Sequence, residues 1–116
     1  MIQIYDSLKG SKVTFEKDKS EKVTMYVCGP TVYDHAHLGH GRSAVAFDII
    51  RRYLEFSGYE VDFAFNTTDI DDKMIKRAAE EKITVAELAE RIIPEYKKDY
   101  AALGIKDPTH NPRATD

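Results

Sequence analysis

The feature that most constrains the fold is a strand–helix–strand succession between residues 23 and 65. The segment Val23–Cys28 is short and apolar, and it stops at Gly29-Pro30, a strong break in regular structure. Residues 42–57 have the composition of a helix, and Gly58 stands where a C-terminal cap belongs. Residues 60–65 alternate with a period of two, which indicates a second strand. This order predicts a parallel βαβ unit with a right-handed crossover, and hence an α/β fold.

The helix over residues 42–57 is apolar around most of its circumference. Its polar residues form a single strip, made of Asp48, Arg51, Arg52 and Glu55. A helix that is hydrophobic nearly all round is normally buried, so we expect this one to be largely buried. We also expect Tyr26 and Tyr53 to lie in the core or to be half-buried.

The segments on either side of the βαβ unit complete one domain. Residues 1–22 predict a hairpin around Lys9-Gly10-Ser11 and then a charged connector, and residues 23–69 form the βαβ unit. Residues 70–104 predict two helices: acidic residues from Asp69 to Asp72 cap the first, and a Thr84–Glu87 capping box starts the second. Residues 105–116 predict an extended tail.

Composition narrows the class of protein. A chain of 116 residues matches a single domain. The net charge of −3 argues against a protein whose whole surface binds nucleic acid. A single cysteine, Cys28, excludes an internal disulfide and suits a reducing compartment. We find no signal peptide and no membrane-spanning segment in the sequence, and we expect a cytoplasmic protein.

Polar and imidazole-bearing residues follow both strands of the predicted unit. Residues 28–41 follow the first strand, and residues 66–69 follow the second. Because open α/β folds bind ligands beyond the carboxyl ends of their parallel strands, we expect a binding site there.

A histidine pair lies at the start of the predicted helix. His37 and His40 are three residues apart, and Gly39 lies between them. A helix N-terminus favours anions, imidazole N–H groups add donors, and a glycine lets a flat base approach the backbone. These residues indicate a phosphate site, while metal binding and an incidental pair remain the alternatives.

Four segments resemble one known family. His37-Leu38-Gly39-His40 resembles the His-Ile-Gly-His signature of class I aminoacyl-tRNA synthetases. Residues 25–34 (MYVCGPTVYD), 66–73 (NTTDIDDK) and 112–115 (PRAT) resemble segments that mark the cysteinyl-tRNA synthetases within that class. The resemblance covers nearly the whole chain, in order and without large gaps.

The resemblance implies a fold and an activity. The fold is half of a class I, Rossmann-like nucleotide-binding domain with additional C-terminal helices. The activity is ATP-dependent activation of cysteine, with Mg²⁺ accompanying ATP, and transfer of the cysteine to tRNA(Cys).

The resemblance also implies roles for individual residues. His37, Gly39 and His40 would contact ATP, and the two histidines would stabilise the transition state. Cys28 would be a zinc ligand. The cysteine and its adenylate would be surrounded by Gly29, Thr31, Ser43, Asn66 and Thr68.

Some parts that the family uses fall beyond residue 116, namely the other zinc ligands and a Lys-Met-Ser-Lys-Ser-type loop. We therefore expect the 116-residue chain alone to hold no stoichiometric zinc, to be inactive, and to self-associate through an exposed sheet edge. One alternative is a cysteine ligase that passes the adenylate to an amino-sugar acceptor. Another is a non-catalytic short paralogue or engineered fragment that binds a nucleotide or a partner protein.

Overall fold

The computed structural model of the protein describes residues 1–116. In chain order its elements are β1 (Gln3–Asp6), β2 (Ser11–Thr14), β3 (Val23–Val27), α1 (Leu38–Phe56), β4 (Val61–Phe65), α2 (Asp72–Glu81) and α3 (Val85–Ala102). The expected α/β fold is confirmed. None of the three helices has the length and apolar character needed to cross a membrane.

The predicted βαβ unit is present. Strands β3 and β4 pair in parallel, in a register that runs from Val23 opposite Val61 to Val27 opposite Phe65, and α1 connects them. Gly58 follows α1 with a φ of +93°, a conformation that glycine adopts without a steric cost. The chain can therefore leave the helix and return directly into β4.

The hairpin at the N-terminus is also as predicted. Strands β1 and β2 pair antiparallel, with Gln3 opposite Thr14, and Gly10 turns the chain at a φ of +63°. Ile2 and Phe15, which flank the hairpin strands, pack against the apolar side chains between the β3–β4 sheet and α1.

The C-terminal tail is extended, and it also lies along β4 as a third strand-like segment. Phe65 donates its N–H to the carbonyl of His110, and Thr67 donates to Pro112, both at 2.9 Å. The bridges between this segment and β4 are parallel. The tail therefore covers one edge of the sheet and leaves the outer edge of β3 open.

Helix α1 corrects one expectation. It is not largely buried, because the part of its polar strip formed by Asp48 and Arg51 is the part that faces the protein. Asp48 accepts the N–H of Lys106 at 3.0 Å, and Arg51 donates to the carbonyl of Asp107 at 2.6 Å. The backbone at the start of the tail needs hydrogen-bond partners, and the buried Asp48 and Arg51 supply them.

An apolar stripe on α1 therefore faces outward. It consists of Ile49, Tyr53 and Phe56, whose exposed fractions are 60%, 56% and 88%. The expectation that Tyr53 and Tyr26 are core or half-buried is wrong as well, since Tyr26 is 65% exposed. The sequence identified the helix correctly, but the expectation that nearly all of its circumference is covered is wrong.

Two apolar clusters form the interior. One lies between the sheet and the C-terminal half of α1, and the other is built mainly by α2 and α3. Phe65 packs against both clusters. The predicted Thr84–Glu87 capping box is formed, and α2 is capped by Asp71, whose carboxylate accepts from Lys73 and Met74. Asp69, which we also expected to cap α2, is bound elsewhere.

The buried strip yields a stability prediction. Replacing Arg51 by Ala leaves the carbonyl of Asp107 without its partner and removes the guanidinium that lies 5.2 Å from the ring of Phe63. We expect a loss of about 1–3 kcal/mol in the free energy of unfolding, measured by urea denaturation. The control is Arg42→Ala, an exposed arginine on the same helix, which should cost less than about 0.5 kcal/mol. Equal costs for the two variants would contradict the role of the strip.

Candidate functional site

The loops that follow β3 and β4 lie in direct contact. Gly29 donates its N–H to the side-chain oxygen of Asn66 at 2.6 Å. A Cβ atom at position 29 would lie 1.7 Å from the backbone oxygen of Asn66, so no side chain fits there. Glycine is therefore required by the close approach of the two backbones.

The parallel pairing continues beyond this contact. Thr68 donates its N–H to the carbonyl of Pro30 at 3.0 Å, and Val32 donates to the carbonyl of Thr68 at 3.1 Å. Thr31 and Thr68 thereby form an isolated parallel bridge. The backbone of residues 29–32 is held in place by residues 66–68.

The histidine pair forms a capping box at the start of α1. The Nδ1 atom of His37 accepts the N–H of Gly39, and the Nδ1 atom of His40 accepts the N–H of His37, both at 3.1 Å. The two rings are stacked, with centroids 3.9 Å apart. The helix thus begins at Leu38, ahead of the predicted start at residue 42, because the histidines themselves supply its cap.

These hydrogen bonds also set the chemistry of the rings. A ring nitrogen that accepts a hydrogen bond carries no proton, so each neutral imidazole carries its proton on Nε2. Burial, and secondarily the nearby His37, lower the pKa of His40 below its usual value, which favours this neutral form. The pair therefore offers two Nε2–H donors beside the free amides of a helix N-terminus.

A pocket of about 210 Å³ joins the strand ends to the helix start. Five of the residues expected at the site line it together: Cys28, Gly29, Thr31, His40 and Ser43. The other four expected residues are not among its lining residues. His37 stacks on His40 and lines the adjoining groove, and Gly39 lies in the first turn of α1. Asn66 and Thr68 are hydrogen-bonded to the pocket loop, at Gly29 and at Pro30 and Val32.

Four lining residues were not identified from the sequence: Pro30, Ala44, Phe65 and Tyr100. Phe65 is the last residue of β4, so the rule that sites lie at strand ends could have found it. Tyr100 lies on α3, far along the chain, and its helical spacing predicted only packing. Burial, with a smaller contribution from Tyr96, raises the pKa of Tyr100 to about 12, so its hydroxyl stays protonated at neutral pH.

A metal site was tested against the donor groups present. No group of three or more His, Cys, Asp or Glu side chains in residues 1–116 is placed to hold a metal ion. The exposed thiol of Cys28 lies at the pocket and is a single possible ligand. Because structural and catalytic zinc sites take at least three protein ligands, the residues of this chain do not fit a complete zinc site.

Comparison with known proteins identifies the family. The family model described as tRNA synthetases class I (C) catalytic domain matches residues 14–116. The chain belongs to this family. The resemblance inferred from the sequence motifs is therefore confirmed.

Curated relatives and solved structures agree with the family. Over its full length the chain is 56% identical to a cysteine–tRNA ligase of Latilactobacillus sakei and 53% identical to one of Wolinella succinogenes, and it spans 25% of each. A crystal structure of Mycobacterium tuberculosis methionyl-tRNA synthetase bound by methionyl-adenylate is similar in fold, with a TM-score of 0.75 and 25% identity. That similarity covers 83% of this chain and 19% of the synthetase.

The capping histidines yield a pH prediction. Because the folded state lowers the pKa of His40, protons bind the unfolded chain more readily, and the contribution of His40 to stability is lost as pH falls below about 6.5. We expect an NMR titration of the imidazole resonances to give a pKa for His40 below that of free histidine. His37→Ala should move this pKa back toward the ordinary value. A pKa at or above the ordinary value in the unmodified protein would contradict the burial of the ring.

Proposed function

We propose that this chain forms the ATP- and cysteine-binding part of a cysteine–tRNA ligase in the cytoplasm. In that enzyme cysteine would react with ATP to give cysteinyl-adenylate and pyrophosphate, and the cysteine would then pass to tRNA(Cys). The observation that carries the proposal is the pocket, which unites five residues expected from the family motifs with a histidine-capped helix start. The chain spans about a quarter of its curated relatives, which are named cysteine–tRNA ligases.

ATP, accompanied by Mg²⁺, would bind with its phosphates at the start of α1. The Nε2–H groups of His37 and His40 and the free amides of the first turn all donate hydrogen bonds, as a phosphate requires. Donors fixed in advance at the place where negative charge develops also stabilise a transition state. Gly39 exposes the backbone there, so that the nucleotide could approach closely.

Cysteine and the adenylate would occupy the pocket itself. Its polar lining consists of the Cys28 thiol, the hydroxyls of Thr31 and Ser43, and the backbone of Gly29. Asn66 and Thr68 would contribute by holding this loop in place. The side chains of residues 1–116 do not provide a complete zinc site.

Binding of ATP by the isolated chain tests this proposal. We expect a dissociation constant in the millimolar range, equivalent to about −4 kcal/mol, with NMR shift changes centred on residues 37–43. His37→Asn keeps a side-chain oxygen that can cap α1 but removes the Nε2–H donor, whereas His37→Ala removes both. Both variants should weaken ATP binding.

The pair of variants separates phosphate binding from helix capping. The free energy of unfolding should fall clearly for His37→Ala and much less for His37→Asn. If ATP binds His37→Asn as tightly as the unmodified chain, the imidazole donor does not contact the phosphates. If no residue of the first turn of α1 responds to ATP, the nucleotide site is wrong.

We also propose that the 116-residue chain self-associates with a second copy. The open edge of β3 and the exposed stripe of Ile49, Tyr53 and Phe56 leave unpaired backbone groups and apolar side chains at the surface. Surfaces of this kind promote association between chains. The radius of gyration of 16.6 Å exceeds the roughly 13 Å typical of a compact chain of this length, so the structure is elongated.

Analytical ultracentrifugation over a range of concentrations tests the association. We expect dimers or larger species at high concentration, and a shift toward monomer in the double variant Ile49→Lys, Phe56→Glu. Lys12→Glu, on the exposed hairpin, serves as the control for a charge substitution outside the stripe. A monomer at all concentrations would overturn the proposal, and an unchanged oligomer in the double variant would remove the stripe from the interface.

A further inference from the structure

The segment that follows β4 alternates in what its residues contact. Asn66 and Thr68 contact the pocket loop, through the amide of Gly29 and the backbone of Pro30. Thr67 and Asp69, the residues between and after them, are buried, with exposed fractions of 1% and 6%. Because successive side chains of an extended segment point to opposite sides, the side chain of Asn66 reaches the pocket loop while those of Thr67 and Asp69 point to the interior. Thr68 meets the pocket loop through its backbone.

The interior side is bound tightly by α3 and the tail. The hydroxyl of Thr67 lies 2.5 Å from the hydroxyl of Tyr96 and accepts a hydrogen bond from the side-chain amide of Asn111 at 3.3 Å. The same amide donates to the carbonyl of Phe65 at 2.6 Å. These contacts fix the segment where it leaves β4.

Asp69 is held by a single residue of the tail. Its Oδ2 atom accepts the hydroxyl of Thr115 at 2.7 Å, and its Oδ1 atom accepts the N–H of Thr115 at 3.2 Å. Asp71 already caps α2, so Asp69 is not needed for that purpose. A buried carboxylate is costly unless its oxygens are hydrogen-bonded, and Thr115 supplies a donor to each of them.

We propose that Thr115 and Asp69 are positioning residues for the pocket, acting through residues 66–68. The Thr115–Asp69 pair fixes the far end of the segment, and the Thr67 contacts fix its near end. Thr68 then holds Pro30 and Val32, and Asn66 holds Gly29, so the pocket loop takes its position from the tail. The inference rests on the proposed function, since it assumes that this pocket is the one that binds cysteine and its adenylate.

Two substitutions at one position test the inference in the 116-residue chain. Thr115→Val keeps the shape of the side chain but removes the hydroxyl, and Thr115→Ser keeps the hydroxyl. The control is Thr14→Val, the same change of hydroxyl to methyl in the hairpin sheet. The first measurement is the backbone amide shift of Gly29, Thr31 and Val32 without nucleotide. The second is the dissociation constant for ATP, and the third is the free energy of unfolding.

We expect Thr115→Val to move the amide resonances of the pocket loop and to weaken ATP binding several-fold, while Thr115→Ser and Thr14→Val do neither. The inference is overturned if Thr115→Val changes only the resonances of residues 67–69 and 113–116. If Thr115→Val does not fold, Asp69→Asn, which keeps one acceptor oxygen, should show the same shifts at the pocket loop, and an undisturbed loop in that variant overturns the inference. Absence of ATP binding in the unmodified chain counts against the proposed function alone, because the amide shifts are measured without nucleotide.

Discussion

The parallel pairing of β3 with β4, continued past the ends of both strands, determines where the site is. Within the sheet this pairing is an ordinary ladder. Beyond it, the backbones approach so closely at Gly29 and Asn66 that only glycine fits at position 29. The loop that carries Cys28 and Thr31 therefore has little freedom to move away from β4. This contact fixes the irregular loop of residues 28–32 beside the start of α1.

The histidines cap α1 in a way that also determines which ring nitrogens are free to donate. An N-cap is usually serine, threonine, aspartate or asparagine, because a side-chain oxygen accepts a free amide. Here the Nδ1 atoms of His37 and His40 perform that task, and the opposite ring nitrogens are not engaged by the caps. Capping thus selects one tautomer, and stacking fixes the orientation of the rings. Protonation of either Nδ1 would break a capping bond, so the neutral form is the one that keeps both caps.

The sequence predicted the structural features that depend on contacts between residues near each other in the chain, and it missed those that depend on contacts between distant residues. The hairpin, the βαβ unit and the Thr84–Glu87 box follow from spacing and local hydrogen bonding, and the structure contains all three. The expectation that α1 is largely buried was wrong because the partners of Asp48 and Arg51 lie more than fifty residues away, in the tail. The position of Tyr100 at the pocket was not predicted for a similar reason, since only the packing of α3 places it there. The docking of an extended tail along β4 leaves no periodic signal that could have shown it.

The polar groups around the pocket determine which interactions it can offer a ligand. They are a thiol, two hydroxyls, a protonated phenol, one imidazole and the backbone of the loop, and each of them is directional. Groups of this kind select and orient a substrate through geometry, and they act on the transition state only as far as they are held in place beforehand. The close contact at Gly29, the histidine caps and the anchored segment after β4 each restrict such a group. The backbone contacts of this segment therefore determine its chemistry, since the strength of a hydrogen bond from a neutral donor depends on where the fold holds that donor.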